Sequence, residues 1–176
     1  MFVDPSGSSF ISWFFPAMEP LIKSFKILIA LLENIFYEKT VLTIAQTLYG
    51  ETGGRYVYDD WQDGMLAVAT VISNRKKHDD YPNSFIEVCT QPSQFVGYSR
   101  GKDAYEDGSC DEIMWDYAIT VAWDMVKNGG VMHPSLNSRY IYFHSELYGD
   151  EKTIADIKNK PETLIFGGNM FYINYG

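Results

Sequence analysis

The chain has 176 residues, 46% of them hydrophobic and 21% charged, which is length for about one domain and a composition outside the disordered range. Lys plus Arg number 14 against 23 Asp plus Glu, giving a net charge of −9. That balance excludes a reader of the nucleic-acid backbone and a polybasic membrane-surface protein, because both need a basic footprint.

Residues 1–20 combine Ser, Gly and prolines with Trp13, Phe14 and Phe15 and read as an irregular arm. No basic leader or small-residue cleavage site precedes them, so no standard signal peptide is expected. The stretch from Phe10 to Tyr37 is apolar, but Pro16, Pro20, Glu19, Lys23, Lys26 and Glu33 argue against a membrane-spanning helix. Leu21, Phe25, Leu28, Leu32 and Ile35 recur at helical spacing and predict an amphipathic helix over 21–37. The expected role of that helix is to pack on the domain; contact with a membrane surface or a partner helix through residues 10–37 is the alternative.

A second helix is predicted over 39–50, with Val41, Ile44, Ala45 and Leu48 on one face and Gly53–Gly54 as its stop. After a loop at 55–62, Asp63 reads as the N-cap of a helix over 64–79. The turn Tyr81–Ser84 leads to a short helix at Phe85–Cys89, and 91–110 reads as an extended loop. Asp111 opens a helix over 112–127 that stops at Gly129–Gly130. Tyr140–His144 reads as a strand. A short helix is predicted over 151–159, and a hairpin closes around Gly167–Gly168. The sum is an α+β domain, mostly helical, with a small β element.

Cys89 and Cys110 form neither a zinc signature nor a disulfide framework. His78, His133 and His144 are not at metal-ligand spacing, so no metal and no cofactor is expected. The aromatics (13 Tyr, 11 Phe, 4 Trp) suit a ring-rich core, or a groove in which sugars stack. Glu51 follows the end of a helix. It reads as an ordinary exposed carboxylate or as an acid whose proton is retained by the helix dipole and by burial among rings such as Tyr49. An acid of the second kind suits glycoside cleavage.

The string Ile44-Ala-Gln-Thr-Leu-Tyr-Gly-Glu-Thr-Gly-Gly54 resembles the opening motif of the SleB/CwlJ family of bacterial cell-wall hydrolases. Leu66–Arg75, Tyr81-Pro82 with Gln94-Phe95, Ala118–Trp123, Tyr142-Phe143-His144 and Gly168–Tyr172 resemble its later motifs in the same order. The resemblance implies a lysozyme-like catalytic domain over 39–176, preceded by an arm and helix over 1–38. It implies one essential glutamate, which maps to Glu51, and peptidoglycan glycan strands as substrate. Gln94, Phe95, Tyr142, His144, Asn169 and Tyr172 are the substrate-binding candidates. Asn74 and Arg75 are read as holding the fold.

The implied reaction cuts the bond between N-acetylmuramic acid and N-acetylglucosamine, as a lytic transglycosylase in preference to a hydrolase. A hydrolase needs a second acid, for which Asp59, Asp60, Asp63 and Glu146 are the candidates. The place of action is a cell wall or spore cortex, and phage delivery stays open. Two positions depart from the family pattern: Met170 stands where a histidine is usual, and Arg55 stands near where a second acid is usual. Those departures keep a second reading open, a non-catalytic wall-binding or virion-assembly protein.

Overall fold

A computed structural model describes residues 10–52, 58–145 and 150–173, with side chains from residue 18 onward. The chain divides into two compact units, Met1–Glu38 and Lys39–Gly176. The first helix, α1 (Phe10–Glu51), contributes to both. It replaces the predicted break near residue 38 and much of the predicted arm. Tyr37-Glu38-Lys39-Thr40 holds no Gly or Pro, so nothing there ends a helix. In the first unit the apolar side chains of Leu21, Phe25, Leu28, Leu32 and Ile35 are exposed, and so are Ile27 and Leu31 off that stripe. Among the described residues no helix is long and apolar enough to cross a membrane.

The second unit is built round α2 (Trp61–Lys77). Residues 67–75 of α2 are buried without interruption, the mark of a helix covered on every side. Its small polar groups stitch the following chain to it. Thr70 Oγ1 accepts from His133 N at 2.7 Å, and Ser73 Oγ accepts from Val131 N at 3.0 Å. Asn74 Nδ2 donates to the carbonyls of Asn137 and Tyr140 at 2.8 and 2.9 Å. Asp63 is not the cap of α2. It lies in the first turn, preceded by Asp60 at the N-cap, and an acid in that turn complements the helix dipole equally well.

Ser84 caps α3 (Phe85–Thr90), and Asp111 caps α5 (Glu112–Asn128) by accepting from Met114 N at 3.0 Å. Gly129, left-handed at φ 72°, stops α5. Asp111→Ala is expected to cost about 1 kcal/mol. A melting temperature lowered by roughly 2–4 °C in a thermal scan checks this.

The predicted loop 91–110 contains a helix, α4 (Gly97–Asp107). Its glycines look like loop residues but serve a close approach to α1. A Cβ on Gly101 would run into the Gln46 carbonyl, and one on Gly97 into the backbone of Gly50 and Glu51.

After α5 come β1 (Tyr142–Ser145), α6 (Glu151–Lys158), β2 (Leu164–Phe166) and β3 (Asn169–Tyr172). The strands form an antiparallel sheet in the order β1-β3-β2. Gly167 and Gly168, at φ 52° and 73°, make the two-residue turn between β2 and β3, a conformation that favours glycine at both positions. The fold is thus mostly helical with one small sheet. Cys89 and Cys110 are free thiols, and burial pushes the Cys89 thiol up to about 12.

Candidate active site

Glu51 is the last residue of α1. The helix end is tied down from two sides: Thr52 Oγ1 donates to Leu48 O at 2.7 Å, and Asn169 Nδ2 donates to Glu51 O at 3.1 Å. Two carbonyls that a helix terminus leaves without partners are satisfied in this way. The glutamate side chain then meets the first residue of α4, where Gly97 N donates to Oε1 at 2.6 Å. Gly50 and Gly97 permit this contact because neither carries a side chain between the helices.

Glu51 opens into a cavity of about 880 Å³. Burial raises its pKa above the ordinary 4.5. The Gly97 N–H and the charges of Arg100 and Arg75 act in the opposite direction and do not cancel it. Tyr49 takes no part, because its hydroxyl accepts from Asp111 N at 2.9 Å and its ring packs edge-on to Trp115.

Of the predicted substrate-binding residues, Gln94, Tyr142, His144 and Tyr172 line the cavity with Glu51. The rings of Tyr142 and Tyr172 stack at 5.7 Å and 18°. His144 Nε2 is buried and has no hydrogen-bond partner among the described residues. Neighbours along a strand point to opposite faces, yet Tyr142 and Phe143 both line the cavity. The reason is that β1 is an edge strand, and the cavity follows its edge instead of one face.

Two predicted residues stand behind the wall. Phe95 is buried and packs against Phe143 at 5.6 Å, so its ring is not offered to a sugar. Asn169 is buried and holds the Glu51 carbonyl. Met170 is fully buried, and it sits opposite His144 in the sheet register. This departure from the family pattern therefore falls in the core and not in the cavity wall. Gly53, Gly54, Arg55 and Glu146 lie outside the described residues. Asp59, Asp60 and Asp63 are exposed and none lines the cavity; Asp63 instead faces His133 at 3.5 Å. Among the described residues no group of His, Cys, Asp and Glu is placed to hold a metal ion.

Arg75, read from the sequence as fold-holding, is in the wall itself. Its Nε donates to Ile141 O at 2.8 Å and its Nη1 to Gln94 Oε1 at 3.1 Å. Its guanidinium lies 5.1 Å from the Tyr81 ring centre and 4.9 Å from that of Phe95. Burial lowers its pKa, opposed in part by nearby tyrosines and Glu51. Arg100, Ser93 and Val96 are further wall residues that sequence reasoning missed. They come with α4 and the segment before it, which read as loop.

A wall with a half-buried acid, stacked tyrosines and amide and guanidinium donors suits a carbohydrate-cleaving protein. The family profile described as Cell Wall Hydrolase matches residues 59–172. The chain belongs to that cell wall hydrolase family. The match takes in Arg75, Gln94, Arg100 and the whole sheet, and it begins downstream of Glu51. No curated protein matches the chain. Among solved structures, the catalytic domain of the germination-specific lytic transglycosylase SleB from Bacillus anthracis is 24% identical, with a TM-score of 0.48 over 75% of this chain and 92% of that one.

Proposed function

We propose that the chain cleaves peptidoglycan as a lytic transglycosylase, at the bond between N-acetylmuramic acid and N-acetylglucosamine, with Glu51 as its single acid and base and residues 39–176 as the catalytic unit. The observation that carries this reading is that Glu51 is the one acid among the described residues of the cavity wall. Its raised pKa favours the protonated form that a general acid needs.

The Gly97 N–H fixes which oxygen holds the proton. A donor pairs with an acceptor oxygen, so Oε1 is the carbonyl oxygen of the neutral acid and Oε2 carries the hydrogen. Oε2 gives that proton to the glycosidic oxygen as the bond to the muramyl C1 breaks and positive charge develops at C1. The carboxylate so formed takes the proton of the muramyl 6-hydroxyl, and O6 closes on C1 as a 1,6-anhydro ring. The substrate supplies the nucleophile, and no second carboxylate is needed. Tyr142 and Tyr172 offer aromatic surface to the sugars, and Gln94 offers its amide to them.

Digestion of purified peptidoglycan followed by mass spectrometry tests the reading. The expected products end in anhydromuramic acid and are lighter by one water than hydrolytic ones. Products with reducing muramic acid would assign a hydrolase, and the absence of soluble products would leave a binding protein.

A further inference from the structure

The chain carries a net charge of −9, but the described residues of its cavity wall carry the opposite balance. Two guanidiniums, Arg75 and Arg100, meet one described acid there. Arg75 also sets the direction of a neighbouring amide. Its Nη1 donates to Gln94 Oε1 at 3.1 Å. A guanidinium has donors only, so the amide oxygen must face it and the amide N–H2 is turned away from it. Arg75 is buried, bonded to Ile141 O at 2.8 Å and seated against Tyr81 and Phe95. The Gln94 amide therefore cannot reverse without giving up a charge-assisted bond. Gln94 and Arg100 are both exposed at the cavity, and what they offer a ligand is donors.

We propose that Gln94 Nε2 and the Arg100 guanidinium form a carboxylate-reading subsite beside the general acid, with Arg75 as its positioning residue. This rests on the glycan-cleaving reading above and narrows its substrate to glycans whose muramyl residues carry a carboxylate. Peptidoglycan has two sources of that group, the lactyl carboxylate of a peptide-free muramic acid and the carboxylates of a stem peptide. A polymer of N-acetylglucosamine alone has neither, nor does a muramyl lactam without a stem.

Binding is measured with the full chain carrying Glu51→Gln, so that ligands are not consumed. The probes are peptide-bearing glycan strands, the same strands stripped of peptide by an amidase, and N-acetylglucosamine oligomers of equal length. The carboxylate-bearing strands are expected to bind about tenfold or more tightly than the neutral oligomers, the size of one charge-assisted hydrogen bond. Arg100→Gln, and separately Gln94→Glu, are expected to reduce that preference about tenfold. Both positions are exposed, and circular dichroism checks that the variants stay folded.

Preference kept by the stripped strands assigns the lactyl carboxylate, and preference confined to peptide-bearing strands assigns the stem. An unchanged preference in both variants, or equal binding of charged and neutral glycans by the parent, overturns the subsite. Cleavage of peptidoglycan by the wild-type chain, measured alongside, separates the two failures. A chain that cleaves without preference loses the subsite alone, and one that neither binds nor cleaves loses the glycan reading as well.

Discussion

Glu51→Gln is expected to remove glycan cleavage, by about 10²–10⁴-fold if general acid catalysis alone is lost, while the chain stays folded. The amide keeps an oxygen for the Gly97 N–H but has no proton of suitable acidity to give. The same substitution has a stability signature of definite sign. Burial raises the folded pKa of Glu51 above 4.5, so its favourable contribution is fully present below the unfolded pKa and is lost as pH rises through the folded one. Glu51→Gln escapes that loss. Relative to wild type, its melting temperature should gain with pH across that window and hold the gain above it. Muropeptide release and thermal scans across pH measure both effects. A folded variant that still releases muropeptides at the wild-type rate would remove Glu51 from the mechanism.

Gly97→Ala is expected to damage stability and activity together. The added Cβ would meet the backbone of Gly50 and Glu51, and would lie 2.8 Å from the carboxyl carbon of Glu51. Backbone cannot rotate aside, so α4 must move off α1. Overpacking of this kind costs about 1–3 kcal/mol, occasionally more, or ~2–12 °C in melting temperature for a chain of this size. The displaced Gly97 N–H then no longer seats Oε1, and cleavage falls beyond what the lost stability explains at a temperature where the variant is still folded. An alanine variant with wild-type melting and wild-type rate would mean that the two helices have slack at this point.

Local chemistry made much of the fold legible. Asp111 and Gly129 mark the ends of α5 because capping and left-handed backbone are decided within a few residues. The hairpin at Gly167–Gly168 is legible for the same reason. Helix α4 is not, because Gly97 and Gly101 are chosen for the approach of a helix some fifty residues earlier, and in a local window they read as loop. The site divides along the same line. Glu51 stands out through its motif, and Gln94, Tyr142, His144 and Tyr172 through theirs. Arg75 does not, because only the meeting of α2 with the edge of β1 and the segment before α4 turns a helix-end arginine into cavity wall. Phe95 shows the converse. The family resemblance makes it a substrate-binding candidate, whereas the ring is spent beneath the Arg75 guanidinium.

The pH dependence of kcat/KM on soluble glycan strands tests the central claim most directly, because it reports the ionisation of the free enzyme. With Glu51 as general acid, the rate falls on the alkaline side with a midpoint above 4.5, the ordinary carboxyl value, and that limb is absent from any residual activity of Glu51→Gln. A rate that instead rises with pH through 4.5 and stays high would show that an ionised carboxylate starts the reaction, and would contradict the account.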